Sequence, residues 1–149
     1  MIERREVTNA VLAMLTAATG MPVGRGRLPQ NPGTRYYVVH ALDATLSGPP
    51  LADLNEDLTV IFQVDSVSAP DPTKPGSSGS AEQAEWLADR ARAAFLGRSR
   101  LSGQWTHPIS VSGAVVMARS LDSEPGGTND PADAIMNFVQ RFRLDLTPA

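Results

Sequence analysis

His40 and Asp43 lie three residues apart, a spacing at which an imidazole and a carboxylate can serve as a general base and its orienting partner. No nucleophile stands beside them, so a histidine at a strand edge or interface is the plainer reading. Gly76-Ser77-Ser78-Gly79-Ser80 has the outline of a nucleophile elbow, but Ser80 occupies the position where that turn needs glycine. Gly24-Arg25-Gly26 lacks the later glycine of a dinucleotide fingerprint and follows a helical pattern, not a strand. Asp122, Glu124, Asp130 and Asp133 raise the question of calcium, yet their spacing lacks the register of an EF-hand loop. They read as a solvated acidic loop. The absence of Cys removes disulfides, thiolate nucleophiles and iron–sulfur ligation, and two His leave little for a zinc site. No catalytic, cofactor-binding or metal residue is assigned, no cofactor is expected, and the chain is expected not to be an enzyme.

The elements that would carry these residues follow from periodicity. Val7, Val11, Met14, Leu15 and Ala18 form one apolar stripe over 3–19, and Gly20 ends that helix. The Gly- and Pro-rich residues 20–34 read as loop, and Arg35 to Leu42 as a strand. Over 56–67, Leu58, Val60, Phe62 and Val64 alternate with more polar positions, which is the period of a strand. Residues 68–80 have no apolar face and are expected to form a flexible, exposed loop. Ser80 with Gln83 predicts a capping box opening a helix over 80–96, buried through Ala84, Leu87, Ala88, Ala91 and Phe95 and closed by Gly97. Strands over 109–119 and 135–146 are separated by the long acidic loop 120–134. The order α-β-β-α-β-β predicts one α+β domain over 1–149: a mainly antiparallel four-stranded sheet with two helices on one face and long loops.

Composition adds charge placement. The chain holds 149 residues, 13 basic and 16 acidic, with 12 Gly and 12 Pro. Only Lys74 among the basic residues is lysine. No apolar run approaches the ~20 residues of a membrane span. The opening Met-Ile-Glu-Arg-Arg-Glu has mixed charge, so no secretory signal is expected and the chain is expected to work in a cytoplasm or in something assembled there. Asp43, Asp53, Glu56 and Asp57 share one stretch without a basic residue, as do the four acids of 120–134. Arg90, Arg92, Arg98 and Arg100 cluster elsewhere, with no aromatic interleaving of the kind nucleic-acid binding would need. Separated acidic and basic patches suit head-to-tail self-association, which closes into a ring when the rotation permits.

Several segments then carry a resemblance: Tyr36-Tyr37-Val38-Val39, Ser47-Gly48-Pro49-Pro50-Leu51-Ala52-Asp53, Phe62-Gln63-Val64-Asp65-Ser66-Val67 and Gln83-Ala84-Glu85-Trp86-Leu87-Ala88-Asp89. In that order, with Phe142-Arg143-Leu144 closing, they resemble the tail terminator (tail-completion) proteins of long-tailed, siphophage-type bacteriophages of actinobacteria. The resemblance covers most of 1–146, and none of its motifs is catalytic. The segment 68–80 is longer than the family pattern requires. The resemblance implies a structural virion protein at the tail–neck junction, assembled in the bacterial host cytoplasm. It implies a homohexameric ring that caps the tail tube, ends its polymerisation and joins the head-completion or connector protein of the neck. DNA would pass non-specifically through its channel, and no membrane would be involved. In that frame the acidic residues are expected at lumen or docking loops, and Arg90, Arg92, Arg98 and Arg100 at the subunit interface. Another neck component is the alternative, followed by a small cytoplasmic hydrolase using His40 and Asp43.

Overall fold

The apolar stripe of the first segment forms α1 (Arg4–Thr19), which buries Val7, Val11, Met14 and Leu15. Gly20 ends it in the left-handed region at φ 69°, donating its N–H to the Thr16 carbonyl, a conformation that carries no steric cost in glycine. The structure is a computed structural model describing residues 1–47, 56–130 and 134–149, with 128–130 described by backbone alone. After α1 come β1 (Val23–Arg25), β2 (Arg35–Ser47), β3 (Asp57–Ser68), α2 (Ala81–Leu96), β4 (Ala114–Asp130) and β5 (Ile135–Pro148). The sheet order is β1-β2-β3-β5-β4. Every neighbouring pair is antiparallel except β1–β2.

The α+β class holds, with two helices packed on a mainly antiparallel sheet. The sheet has one strand more than the four expected. Val23-Gly24-Arg25, inside the segment read as loop, pairs in parallel with Tyr37-Val38-Val39. The chain can fold back this tightly because residue 24 is glycine: a Cβ there would lie 1.9 Å from the Arg27 carbonyl oxygen. A three-residue strand among glycines and prolines leaves no periodic trace in a sequence.

The acidic loop 120–134 is the larger correction. Residues 120–130 continue β4 and pair with β5 up to Asp130↔Ile135. Pro125 and two glycines argue locally against a strand. They are accommodated because β4 is outermost and its ladder shifts register between Val116 and Ala118, Leu121 and Ser123, and Ser123 and Gly126. An edge strand has one side on which a missing N–H breaks no ladder, and bulges absorb the misfit.

Residues 69–80 form the exposed loop expected, and its two ends are anchored to the fold. Its middle, 72–76, is exposed, but Ser68 and Gly79 are buried. Ser68 Oγ donates to Gln83 Oε1 at 2.7 Å and accepts the Ser80 N–H at 3.0 Å. Ser80 caps α2 by accepting the Gln83 N–H at 3.2 Å. Ser68 therefore takes the place that the Gln83 side chain would hold in a capping box. Gly79 donates to the Ala134 carbonyl at 2.7 Å. A Cβ on it would meet the Ser68 oxygen at 2.0 Å, so the loop's exit is fixed by backbone packing.

The core lies between the helices and one sheet face. Rows run straight across the sheet: Leu46, Leu58, Leu146 and Val116 form one, and Ala41, Phe62, Phe142 and Leu121 another. On the second row the Phe142 ring stacks on Phe95 of α2, with centroids 4.1 Å apart and planes inclined by 4°. Tyr37 is fully buried and donates its hydroxyl to the Leu87 carbonyl at 2.6 Å. Burial pushes its phenol well above the usual tyrosine range. The folded state thus holds that proton more tightly than the unfolded chain does. The stability it contributes is complete below pH ~10 and falls as pH rises beyond it. A Tyr37→Phe variant is expected to show a shallower loss of stability above pH ~10, read from urea midpoints across the alkaline range.

Candidate functional site

The four arginines of the second helix and its exit have four different environments. Arg90 is half-buried: it donates to the Thr19 carbonyl at 2.8 Å, joining α2 to the end of α1, and lies 4.9 Å from the Trp86 ring centroid. Arg35 lies near the same ring, at 5.7 Å. Arg92 pairs with Glu124 at 2.9 Å, and the other Glu124 oxygen accepts from the buried Gln140 at 2.8 Å. A residue expected on the basic patch and one expected on the acidic patch are therefore joined within one chain. Arg98 stacks on Trp105 at 3.9 Å. Arg100 is exposed.

Arg119, on β4, went unremarked in the sequence. It is only 7% exposed and donates through Nη1 to the carbonyls of Phe95, at 3.3 Å, and His107, at 2.8 Å. Phe95 is in the last turn of α2, where carbonyls lack helical partners and a cation is favoured. The Arg119 guanidinium also lies 4.7 Å from the Trp105 centroid. Trp105 thus has a buried arginine and an exposed one for neighbours. Burial, and then the charge of Arg98, pull the Arg119 pKa down to about 10. The one local clue was a lone charge among the apolar and small residues of 111–119. Nothing in the spacing shows that it reaches back to Phe95.

The acidic residues occupy both ends and both edges of the sheet. Asp43 is exposed in β2, where the register slips between Ala41 and Ala44. Glu56 and Asp57 are half-buried at the start of β3. Asp122 is exposed on β4, and Asp130 ends that strand. Asp53 and Asp133 lie outside the described residues. Leu58 pairs with Leu146 while Ser68 pairs with Met136, so the Ser47/Asp57 end and the Asp130/Ile135 end are at opposite extremes of the sheet. The described parts of the two acidic segments do not converge.

His40 finds its carboxylate on the neighbouring strand, not at Asp43. Its Nε2 is 3.3 Å from Asp65 Oδ2. Gln63 Nε2 donates to Asp65 Oδ1 at 3.0 Å, and Arg141 Nε donates to Gln63 Oε1 at 3.3 Å. These four side chains form a polar row on the sheet face away from the core. Among the described residues no three His, Asp or Glu side chains gather as a metal site, and no helix is long and apolar enough to cross a membrane. Stacked guanidinium groups, an open polar sheet face and exposed strand edges are features suited to recognition between macromolecules.

No family model matches the chain, and no curated protein matches it in sequence. Solved structures do share its fold. A chain described as "Virion of native gene transfer agent (GTA) particle" superposes with a TM-score of 0.55 at 13% identity, over 98% of this chain and 95% of that one. A second solved chain, whose name carries no functional description, gives 0.54 at 19% identity with both chains covered completely. At these identities the likeness establishes a common α+β fold from end to end.

Proposed function

We propose that the chain is a structural protein of a phage-like virion, and within that class a tail terminator. A homohexameric ring of it would cap the tail tube, end its polymerisation and present a joining surface to the neck, with DNA passing through the channel. The observation carrying this reading is the fold shared along nearly its whole length with a chain from a gene transfer agent virion. The ordered segments resembling tail terminators support the finer assignment. Acidic residues facing the channel, from the Asp43–Asp57 segment or from 120–134, would repel phosphates and keep DNA from adhering. Arg98 and Arg100 would contribute to contacts between subunits.

The test is to mix purified protein with tail tubes and examine them by electron microscopy, alongside the protein's mass in solution. A ring seated at one end of each tube is expected, and tubes assembled without the protein should run to uncontrolled length. A ring that ignores the tube but binds the head-side neck would shift the assignment to a connector or head-completion protein. Tubes of normal length in its absence would overturn the terminator role.

A further inference from the structure

The two outermost stretches of the sheet have properties that a solitary subunit would be expected to avoid. β1 covers only Tyr37 to Val39 of β2, so from His40 to Ser47 β2 has no strand on its outer side among the described residues. β4 likewise ends the sheet on the other side. Natural edges are blunted by lysine, by inward charges or by brevity. Here β2 shows Leu42 and Leu46 to solvent, and β4 shows Val115 and Met117, each about half exposed. Pro125 and the register shifts at Leu121/Ser123 and Ser123/Gly126 lie farther along β4, while the shift between Val116 and Ala118 and the slip between Ala41 and Ala44 of β2 fall within these two stretches.

The two edges also match in level and direction. Thr45, Thr59, Asp145 and Ala118 form one row across the sheet, so the open part of β2 and the first half of β4 lie at the same end. Three successive antiparallel pairings separate β2 from β4, which makes those two strands antiparallel to each other. Identical copies placed side by side in one orientation would therefore bring β4 of one against β2 of the next as an antiparallel pair. Charge agrees: Asp43 lies on the β2 edge, and Arg98 stacks on Trp105, which borders the groove beside the start of β4.

The geometry points to a second copy of this chain as the occupant of both edges, with β4 residues 115–121 pairing with residues 40–47 of its neighbour. The contact uses different surfaces on the two copies and so is heterologous. Because both surfaces lie at one level, successive copies join side by side with little displacement along the strands, which favours closure over a steep spiral. This rests on the ring reading and supplies its contact.

The native chain has no Cys, so introduced thiols stand alone. Thr45→Cys is mixed with Val115→Cys or, separately, with Ser120→Cys, and each mixture and single variant is treated with a short bismaleimide. Mass in solution is measured for the wild type and for Val115→Lys/Met117→Lys, whose fold is checked by circular dichroism. Cross-linked dimers in at least one mixture but in no single variant, with a folded lysine variant shifted towards monomer, are expected. A wild-type ring that gives no mixed cross-link, or keeps its mass with both lysines, overturns edge pairing and leaves the ring reading standing. A wild type monomeric at every concentration, with no cross-link, overturns both.

Discussion

Replacing Phe142 by alanine is expected to lower the unfolding free energy by about 3–5 kcal/mol, the range for truncating a fully buried phenylalanine. Phe142 is wholly buried, sits on the central row with Phe62, and lies face to face with Phe95. Truncation removes apolar burial, leaves a cavity between sheet and helix, and ends the ring stack. The stack itself contributes about 0.5–1.5 kcal/mol beyond area burial. A double-mutant cycle on Phe95→Ala and Phe142→Ala should therefore show coupling of about that size, measured by urea unfolding. Additive losses would mean that the rings act as independent hydrophobes.

Arg119→Met should cost about 3 kcal/mol by a different route. The thioether fills much of the same space, but two carbonyls lose a charged donor inside the protein, and an unpaired buried carbonyl carries a desolvation penalty. The consequence is broader than a lost contact, since the guanidinium holds the end of α2 through Phe95 and the 98–111 segment through His107. Arg119→Lys should recover only part of the loss: an ammonium on a shorter stem can offer donors to the carbonyls that Nη1 serves, but it has no planar face to lay against the Trp105 indole. Trp105 emission should change in both variants. Stability unchanged in Arg119→Met would show that the carbonyls find water without cost.

What could be read from the sequence was governed by how local the determining contacts are. The helices were legible because stripe, cap and stop all fall within a few residues: Val7 to Leu15 with Gly20, and Ser80 with Gln83. β3 was legible because its alternation reports a sheet buried on one face. β4 was not, since its tolerance of Pro125 and two glycines comes from being outermost, a property of the strand order. Gln83 illustrates the same limit within a correct reading, as its side chain turns to Ser68 at the end of another strand. The candidate site was less legible than the fold. The clustered arginines suggested a single patch, whereas tertiary partners remote in sequence, Thr19 and Glu124, draw Arg90 and Arg92 into the chain's own structure. Arg119 and its two carbonyls could be recognised only once helix, loop and strand were brought together.

The long central ladder has a mechanical consequence. β3 and β5 pair without a register shift from Leu58 to Ser68, about 35 Å of strand at ~3.3 Å per residue. Antiparallel hydrogen bonds lie across the strands. Tension applied in opposite senses to the two strands along this axis would load those bonds in shear, so that they yield together and not one after another. Pulling the same strands apart sideways would open the pairing bond by bond at a much lower force. A domain with this ladder is stiff along its strands and weak across them, and the direction of a load would decide whether it holds.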